Sequence, residues 1–205
     1  MGFSGFPDEA FEFYEGLSAD NSKAYWTAHK QVYEDAVRAP LTALMAELEP
    51  EFGAAKIFRP YRDVRFAKDK SPYKTQQGAH TEAGFYVAVD ADGLMVAGGL
   101  YSPSPDQLAR FRKAVDAESS GAPFAALIDD LQAAGFEIAG DRLKTRPRGV
   151  PEDHPRLDLL RHRSLYAHKG WPPEDWVGTP QALDRIRDEW RALRPLQTWA
   201  ADHIG

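Results

Sequence analysis

The chain has no cysteine among its 205 residues. That absence removes disulfides, a thiol nucleophile and thiolate ligation of zinc or an iron–sulfur cluster. No apolar run approaches the roughly 18 residues that a membrane-spanning helix needs. The opening Met1-Gly2-Phe3-Ser4-Gly5 lacks a charged region followed by an apolar stretch, so no secretory leader is expected. It also lacks the serine or threonine that a myristoylation signal carries at its sixth position. Together these absences make the cytoplasm the expected compartment. Missing too are a Gly-rich Walker loop, a Gly-x-Gly-x-x-Gly fingerprint and a Gly-x-Ser-x-Gly elbow. The six histidines (His29, His80, His154, His162, His168, His203) show no His-x-His or His-Glu-x-x-His spacing. No metal site is therefore expected, and no motif names a cofactor or sets an oligomeric state.

What is present is ordinary for a globular protein: 43% hydrophobic and 27% charged residues, with aromatics at 12% to fill a core. A chain of this length buries roughly 70% of its unfolded surface and folds without a staple. No Ser/Gly-rich or Pro-rich linker interrupts it, so one domain over 1–205 is expected. The net charge of −6 argues against a protein that coats nucleic acid. The charge is unevenly spread: Lys56 to Lys74 holds seven basic and two acidic residues, a local +5 that leaves −11 elsewhere.

Periodicity outlines the elements. Phe11, Tyr14 and Leu17 make one face of a first helix after Pro7-Asp8. Asp20-Asn21-Ser22 stops it and caps a second, long helix with Trp26, His29, Tyr33, Val37, Leu41, Leu44 and Leu48 on one side. Pro40 inside it predicts a kink or two helices end to end. Phe85, Val87 and Val89 alternate with polar or small residues, and Asp92-Gly93 predicts a type I′ hairpin turn into a strand over 94–101. Gly98-Gly99 marks a bulge or a close backbone approach. Ser104-Pro105-Asp106-Gln107 is a capping box opening a helix to about Ala117. Further expectations are a helix from Pro123 to Gly135, short strands at 136–138, 143–145 and 164–169, and a last helix capped by Thr179-Pro180 and broken or kinked at Pro195. Helices at both ends and strands between predict an α+β fold, with a central antiparallel or mixed sheet flanked by helices from both chain ends.

The basic segment carries the chemistry most open to interpretation. Val64 and Phe66 predict a short strand with two core residues, and Asp69-Lys70-Ser71-Pro72 predicts a turn that sets Lys68 and Lys70 on a rim. Carboxylates interleaved with cations hold guanidinium groups in one orientation, leaving donors for a phosphate or carboxylate. The same pattern is also what a self-neutralising network bracing a loop looks like. The run Arg62-Asp63-Val64-Arg65-Phe66-x-Lys68-Asp69-Lys70-x-Pro72-Tyr73-Lys74-Thr75 resembles the signature of the family catalogued as domain of unknown function 2461. Asn21, Trp26, Lys30, Tyr33, Gly98-Gly99-x-Tyr101, Leu143-Lys144, Pro147-x-Gly149 and Asp153-His154-Pro155 follow the same family's pattern. The chain departs from it where members often read Asn-Asn and Trp-Phe, reading Asp20-Asn21 and Tyr25-Trp26. The resemblance implies membership over nearly the whole chain and brings no activity with it.

A second polar cluster, Lys144-Thr145-Arg146-Pro147-Arg148-Gly149 followed by Asp153-His154-Pro155, offers Lys144 and Arg146 to an anion and His154 as a proton carrier near neutral pH. Its plainer reading is a surface loop with Asp153 capping the helix after Pro155. Lys169 to Trp176, rich in tryptophan and proline, reads as an aromatic lip or as a loop pinned to the core. The candidate ligand-binding residues are Arg62, Arg65, Lys68, Asp69, Lys70, Lys74, Lys144 and Arg146, and the candidate proton-transfer residues are Asp63, Tyr73 and His154. Three functions remain open: a small phosphorylated or carboxylated ligand, bound or turned over; a nucleic acid, with Tyr61 or Tyr73 stacking on bases, against which the acidic remainder weighs; or a non-catalytic module braced by the motif.

Overall fold

The computed structural model describes residues 2–205. Its first half runs α1 (Asp8–Ala19), α2 (Lys23–Val32), a π-helical turn (Tyr33–Arg38), α3 (Ala39–Phe52), β1 (Ala55–Ile57), β2 (Gln76–Thr81), β3 (Phe85–Asp90) and β4 (Gly93–Leu100). Then follow α4 (Pro105–Asp116), α5 (Glu118–Ala133), β5 (Glu137–Ala139), α6 (Leu157–Leu160), β6 (Leu165–Trp171), a 3-10 turn (Asp175–Gly178) and α7 (Gln181–His203). The strands form one antiparallel sheet in the order β1-β2-β3-β4-β6-β5, and the fold is α+β as the sequence predicts. The chain divides into two compact units: one up to Val96 with Gly170–Glu189, the other Ala97–Lys169 with Trp190–Gly205. Among the described residues no helix is long and apolar enough to cross a membrane.

In the first unit, α1 buries Phe11, Tyr14 and Leu17 as the spacing predicts, and packs on β3. Val37, Leu41 and Leu44 are fully buried, each contributing about 1.5–3 kcal/mol. Pro40 does not break the long helix. The turn before it widens instead, and the Ala39 N–H reaches back five residues to the Glu34 carbonyl. A proline ring would clash with the carbonyl four residues earlier, and a π turn relieves that crowding. Strands β1 and β2, which show no sequence alternation, are held by pairing: Ala55–Ile57 on Thr81–Ala79, and Gln76–His80 on Asp90–Tyr86. The β3–β4 connection is tight but not type I′, because no non-glycine residue among those described has positive φ. The Asp92 N–H donates to Asp90 Oδ1 at 2.9 Å, so a side-chain turn replaces the left-handed pair.

In the second unit, α4 opens on the expected capping box: Ser104 Oγ accepts from the Gln107 N–H at 3.2 Å and Gln107 Oε1 from the Ser104 N–H at 2.9 Å. Helix α5 begins at Glu118, ahead of the expected Pro123, which lies inside it. Pro123 is the sixth residue, past the first turn, so it forfeits one backbone hydrogen bond, and burial of Phe124, Ile128 and Leu131 carries the helix across it. It ends on Gly135 (φ +88°) with Phe136 N–H on the Leu131 carbonyl and Gly135 N–H on that of Gln132, both 3.0 Å, a Schellman motif. β5 pairs with β6 through Glu137–His168, Ile138–Ala167 and Ala139–Tyr166. Gly99 (φ +135°) is the close approach expected of Gly98-Gly99, since a Cβ there would lie 2.6 Å from the Leu165 carbonyl oxygen. The strand expected over 143–145 is absent; only Arg142 and His162 make a bridge. Asp153 is no cap, for α6 begins after Arg156 without a side-chain cap. Helix α7 runs unbroken through Pro195 to His203, anchored on either side of it by buried Leu193, Leu196 and Trp199.

Candidate functional site

The basic segment of the first unit is a closed loop, not the expected strand. Its neck is tied by the Arg62 N–H on the Pro72 carbonyl at 2.9 Å and the Lys74 N–H on the Pro60 carbonyl at 2.8 Å. Asn21 clamps it further: its Nδ2 donates to the Tyr73 carbonyl and its Oδ1 accepts the Tyr73 N–H, both at 3.1 Å. Tyr73 lies flat on Trp26, ring centroids 4.3 Å apart, and burial pushes its phenol pKa up. The strand fails because the chain's own carboxylates take the amides a ladder would use. Asp63 Oδ1 accepts from the Arg65 N–H at 3.2 Å, and Asp69 Oδ1 from the Ser71 N–H at 2.9 Å. Phe66, expected in the core, is 96% exposed at the far end.

The loop's two aspartates are matched internally, each by an arginine. Asp63 receives Arg65 through Nε at 2.9 Å and Nη2 at 2.6 Å, and this pairing holds its carboxyl below the usual range. Asp69 accepts Ser71 Oγ at 2.6 Å and the Arg62 guanidinium, and those bonds, Ser71 first, keep it strongly acidic. Lys70 Nζ donates to the Val64 carbonyl at 3.0 Å. Lys74 sits 4.8 Å over the Phe58 ring, and burial lowers its pKa, with Arg59 adding to the effect. Lys68 and Arg59 make no hydrogen bond, ion pair or ring contact among the described residues.

A different concavity lies in the second unit. A groove of about 700 Å³ is lined by Leu108, Arg112, Lys113 and Asp116 of α4, by Leu143 and the 145–150 turn, and by Leu160 and Arg163. The turn closes with the Val150 N–H on the Pro147 carbonyl at 3.3 Å, with Gly149 at φ +86° in its third position, as a type II turn requires. Arg148 stands at its corner. Arg146 is braced by Nη1 on the Val150 carbonyl at 2.7 Å and by Glu152 at 3.4 Å, and Arg163 by Asp141 at 3.2 Å. Arg112 Nε is buried there without a hydrogen-bond partner.

The remaining predicted residues of this unit lie around the groove. Lys144 is exposed and outside its lining, its carbonyl accepting Arg161 Nη2 at 2.7 Å. His154 Nδ1 accepts the Arg156 N–H at 3.0 Å, which places the proton on Nε2, 3.2 Å from Asp116 Oδ1. Arg156, which the sequence did not single out, is 9% exposed and donates to the Val115 and Asp116 carbonyls and to Glu118. Arg112, Lys113 and Arg163 also escaped notice, because on their own elements they read as ordinary polar-face residues. In the first unit, Trp176 packs edge-on to Trp171 at 5.6 Å and under Arg185 at 4.2 Å, and with Glu174 and Asp175 it also lines a surface concavity, so both readings of this stretch stay open.

No curated protein matches the sequence significantly. The family model described as "Conserved hypothetical protein (DUF2461)" matches residues 9–199. That match spans nearly the whole chain, including both the closed basic loop and the cationic groove: the chain belongs to the DUF2461 family.

Proposed function

We propose that the chain binds a small anion bearing phosphate or carboxylate groups in the groove of the second unit. One observation carries this reading: Arg112, Lys113, Arg146, Arg148 and Arg163 share a groove of about 700 Å³ with a single carboxylate, Asp116, in a chain of net charge −6. Gathering like charges is unfavourable unless an anion joins them. Glu152 and Asp141 hold Arg146 and Arg163 from one side, so remaining guanidinium donors face outward without reordering. In this reading His154 positions Asp116, keeping that carboxylate from folding over the lysine and arginines beside it. Lys144 adds long-range charge. The Arg62–Lys74 loop, whose arginines are matched to its own aspartates, has a separate role.

Titration calorimetry with inorganic phosphate, pyrophosphate and citrate tests the reading. The double variant Arg146→Ala/Arg148→Ala is expected to lose at least about tenfold in affinity, the scale of one charge-assisted hydrogen bond. Lys68→Ala is expected to bind as the parent does. No heat with any of the three anions, or equal binding by the double variant, refutes it.

A further inference from the structure

We propose that the closed loop of the first unit docks onto single-stranded nucleic acid, with Phe66 stacking on a base and Lys68, Arg65 and Arg59 meeting the phosphates. The loop has the two parts such docking needs. Phe66 is 96% exposed and Tyr61, at the neck, 48% exposed, so two aromatic faces stand open on one short stretch. Sequence reasoning nominated Tyr73 as a stacking residue, but Tyr73 is only 5% exposed and lies against Trp26. Phe66 takes that place. Stacking on aromatic rings combined with a cationic track is how unpaired strands are held without sequence preference.

The charges fit the same ligand. Lys68 and Arg59 make no hydrogen bond or ion pair among the described residues, although Asp63 feels the charge of Arg59. Arg65 binds Asp63 through Nε and Nη2, which leaves its other terminal nitrogen to donate, and Lys70 uses one of its ammonium donors on the Val64 carbonyl. The neck is rigid: two backbone bonds, the Asn21 clamp and the Trp26 stack hold it, so little order is lost when the tip engages.

A single strand is favoured over an anionic bilayer on electrostatic grounds. Outside Lys56 to Lys74 the chain carries −11. A bilayer is a plane, and brings a broad area of charge within the roughly 8 Å over which exposed charges are felt at physiological salt. A strand is a line that can meet the loop alone.

Fluorescence anisotropy at about 20 mM salt tests the proposal, using a labelled oligothymidylate, a duplex of equal length and vesicles containing phosphatidylserine. The oligothymidylate is expected to bind more tightly than the duplex, with affinity falling on a log–log salt plot by about 0.7 per phosphate neutralised. Phe66→Ala is expected to weaken binding about tenfold with the salt slope unchanged, and Lys68→Ala to reduce the slope by about 0.7. An unchanged melting temperature shows that these exposed variants fold. Arg146→Ala/Arg148→Ala is expected to bind the oligonucleotide normally, which keeps this test separate from that of the groove. The proposal is overturned if no oligonucleotide binds, if Phe66→Ala binds like the parent, or if the groove variant abolishes binding. It is equally overturned if vesicles are preferred, or if Phe66→Ala instead dissolves a self-associated form.

Discussion

Arg156 offers the sharpest stability test. Its side chain is 9% exposed, with Nε donating to the Val115 carbonyl at 2.7 Å, Nη2 to that of Asp116 at 2.9 Å and Nη1 to Glu118 Oε2 at 2.8 Å. Val115 and Asp116 end α4, where the last carbonyls have no intrahelical donors and a cation is favourable. Arg156→Ala strands the buried Val115 oxygen and leaves that of Asp116 to water. At about 1.5–3 kcal/mol for each bond to a charged group, discounted where water can replace the donor, the two carbonyls account for roughly 3–4 kcal/mol. Glu118 is 80% exposed, so its pair adds at most about 1 kcal/mol. The expected loss is about 3–5 kcal/mol, or roughly 6–20 °C in melting temperature for a chain of this size. Urea unfolding followed by tryptophan fluorescence measures it. Arg156→Lys keeps the charge but not the planar fork, and is expected to recover about half. A loss under about 1 kcal/mol for Arg156→Ala, or full rescue by lysine, would refute the clamp.

Three further expectations concern the first unit. Gln77 is fully buried, its Oε1 accepting from Tyr33 Oη at 2.7 Å and its Nε2 donating to the Phe58 carbonyl at 2.6 Å. Gln77→Leu should therefore cost about 2–4 kcal/mol in urea unfolding, and a cost below about 1 kcal/mol would contradict that bonding. Asn21→Ala should speed amide exchange at Tyr73 by about tenfold while shifting global stability by no more than about 2 kcal/mol; unchanged exchange would mean the clamp is idle. Burial raises the Asp90 carboxyl pKa, chiefly by desolvation. Its folded pKa then exceeds the unfolded value, so the ionised group destabilises the fold above both and the penalty lifts as pH falls through them. Asp90→Asn keeps an acceptor for the Asp92 N–H and should be more stable than the parent at pH 7, with the difference gone near pH 3. Equal stability at pH 7 counts against the desolvated charge.

The groove and the loop divide the charges differently, and that division separates their roles. In the loop, Asp63 lies two residues from Arg65 and Asp69 seven from Arg62, so pairing forms within the loop itself. In the groove, cations from α4, from the 145–150 turn and from Arg163 outnumber the single carboxylate, Asp116, that shares the lining. Pairing within the loop fits bracing with an exposed tip. In the groove, Glu152 and Asp141 take one side of Arg146 and Arg163 while Arg112, Lys113 and Arg148 converge from separate elements, which fits a ligand.

Much of the chain was legible because its instructions are short-range. The stripe Phe11, Tyr14, Leu17, the capping box at Ser104, the Gly135 stop and the family signature each lie within a few residues of sequence, and each forms as expected. The reading failed where local and long-range demands compete. Val64 and Phe66 alternate like a strand, yet Asp63 and Asp69 claim the backbone amides first, and Phe66 is left in solvent. Pro40 and Pro195 disrupt helices in isolation, but buried neighbours on both sides hold those helices together. Only one wall of the groove was legible: the 144–149 cluster offered Arg146 to an anion, but not the partners that face it. Arg112 and Lys113 look like the wet face of an amphipathic helix, and nothing near them in the chain announces that the 145–150 turn and Arg163 will face them. Periodicity and capping are decided by neighbours along the chain, whereas a charged concavity exists only after distant segments pack, and tertiary structure alone decides which cations then face one another.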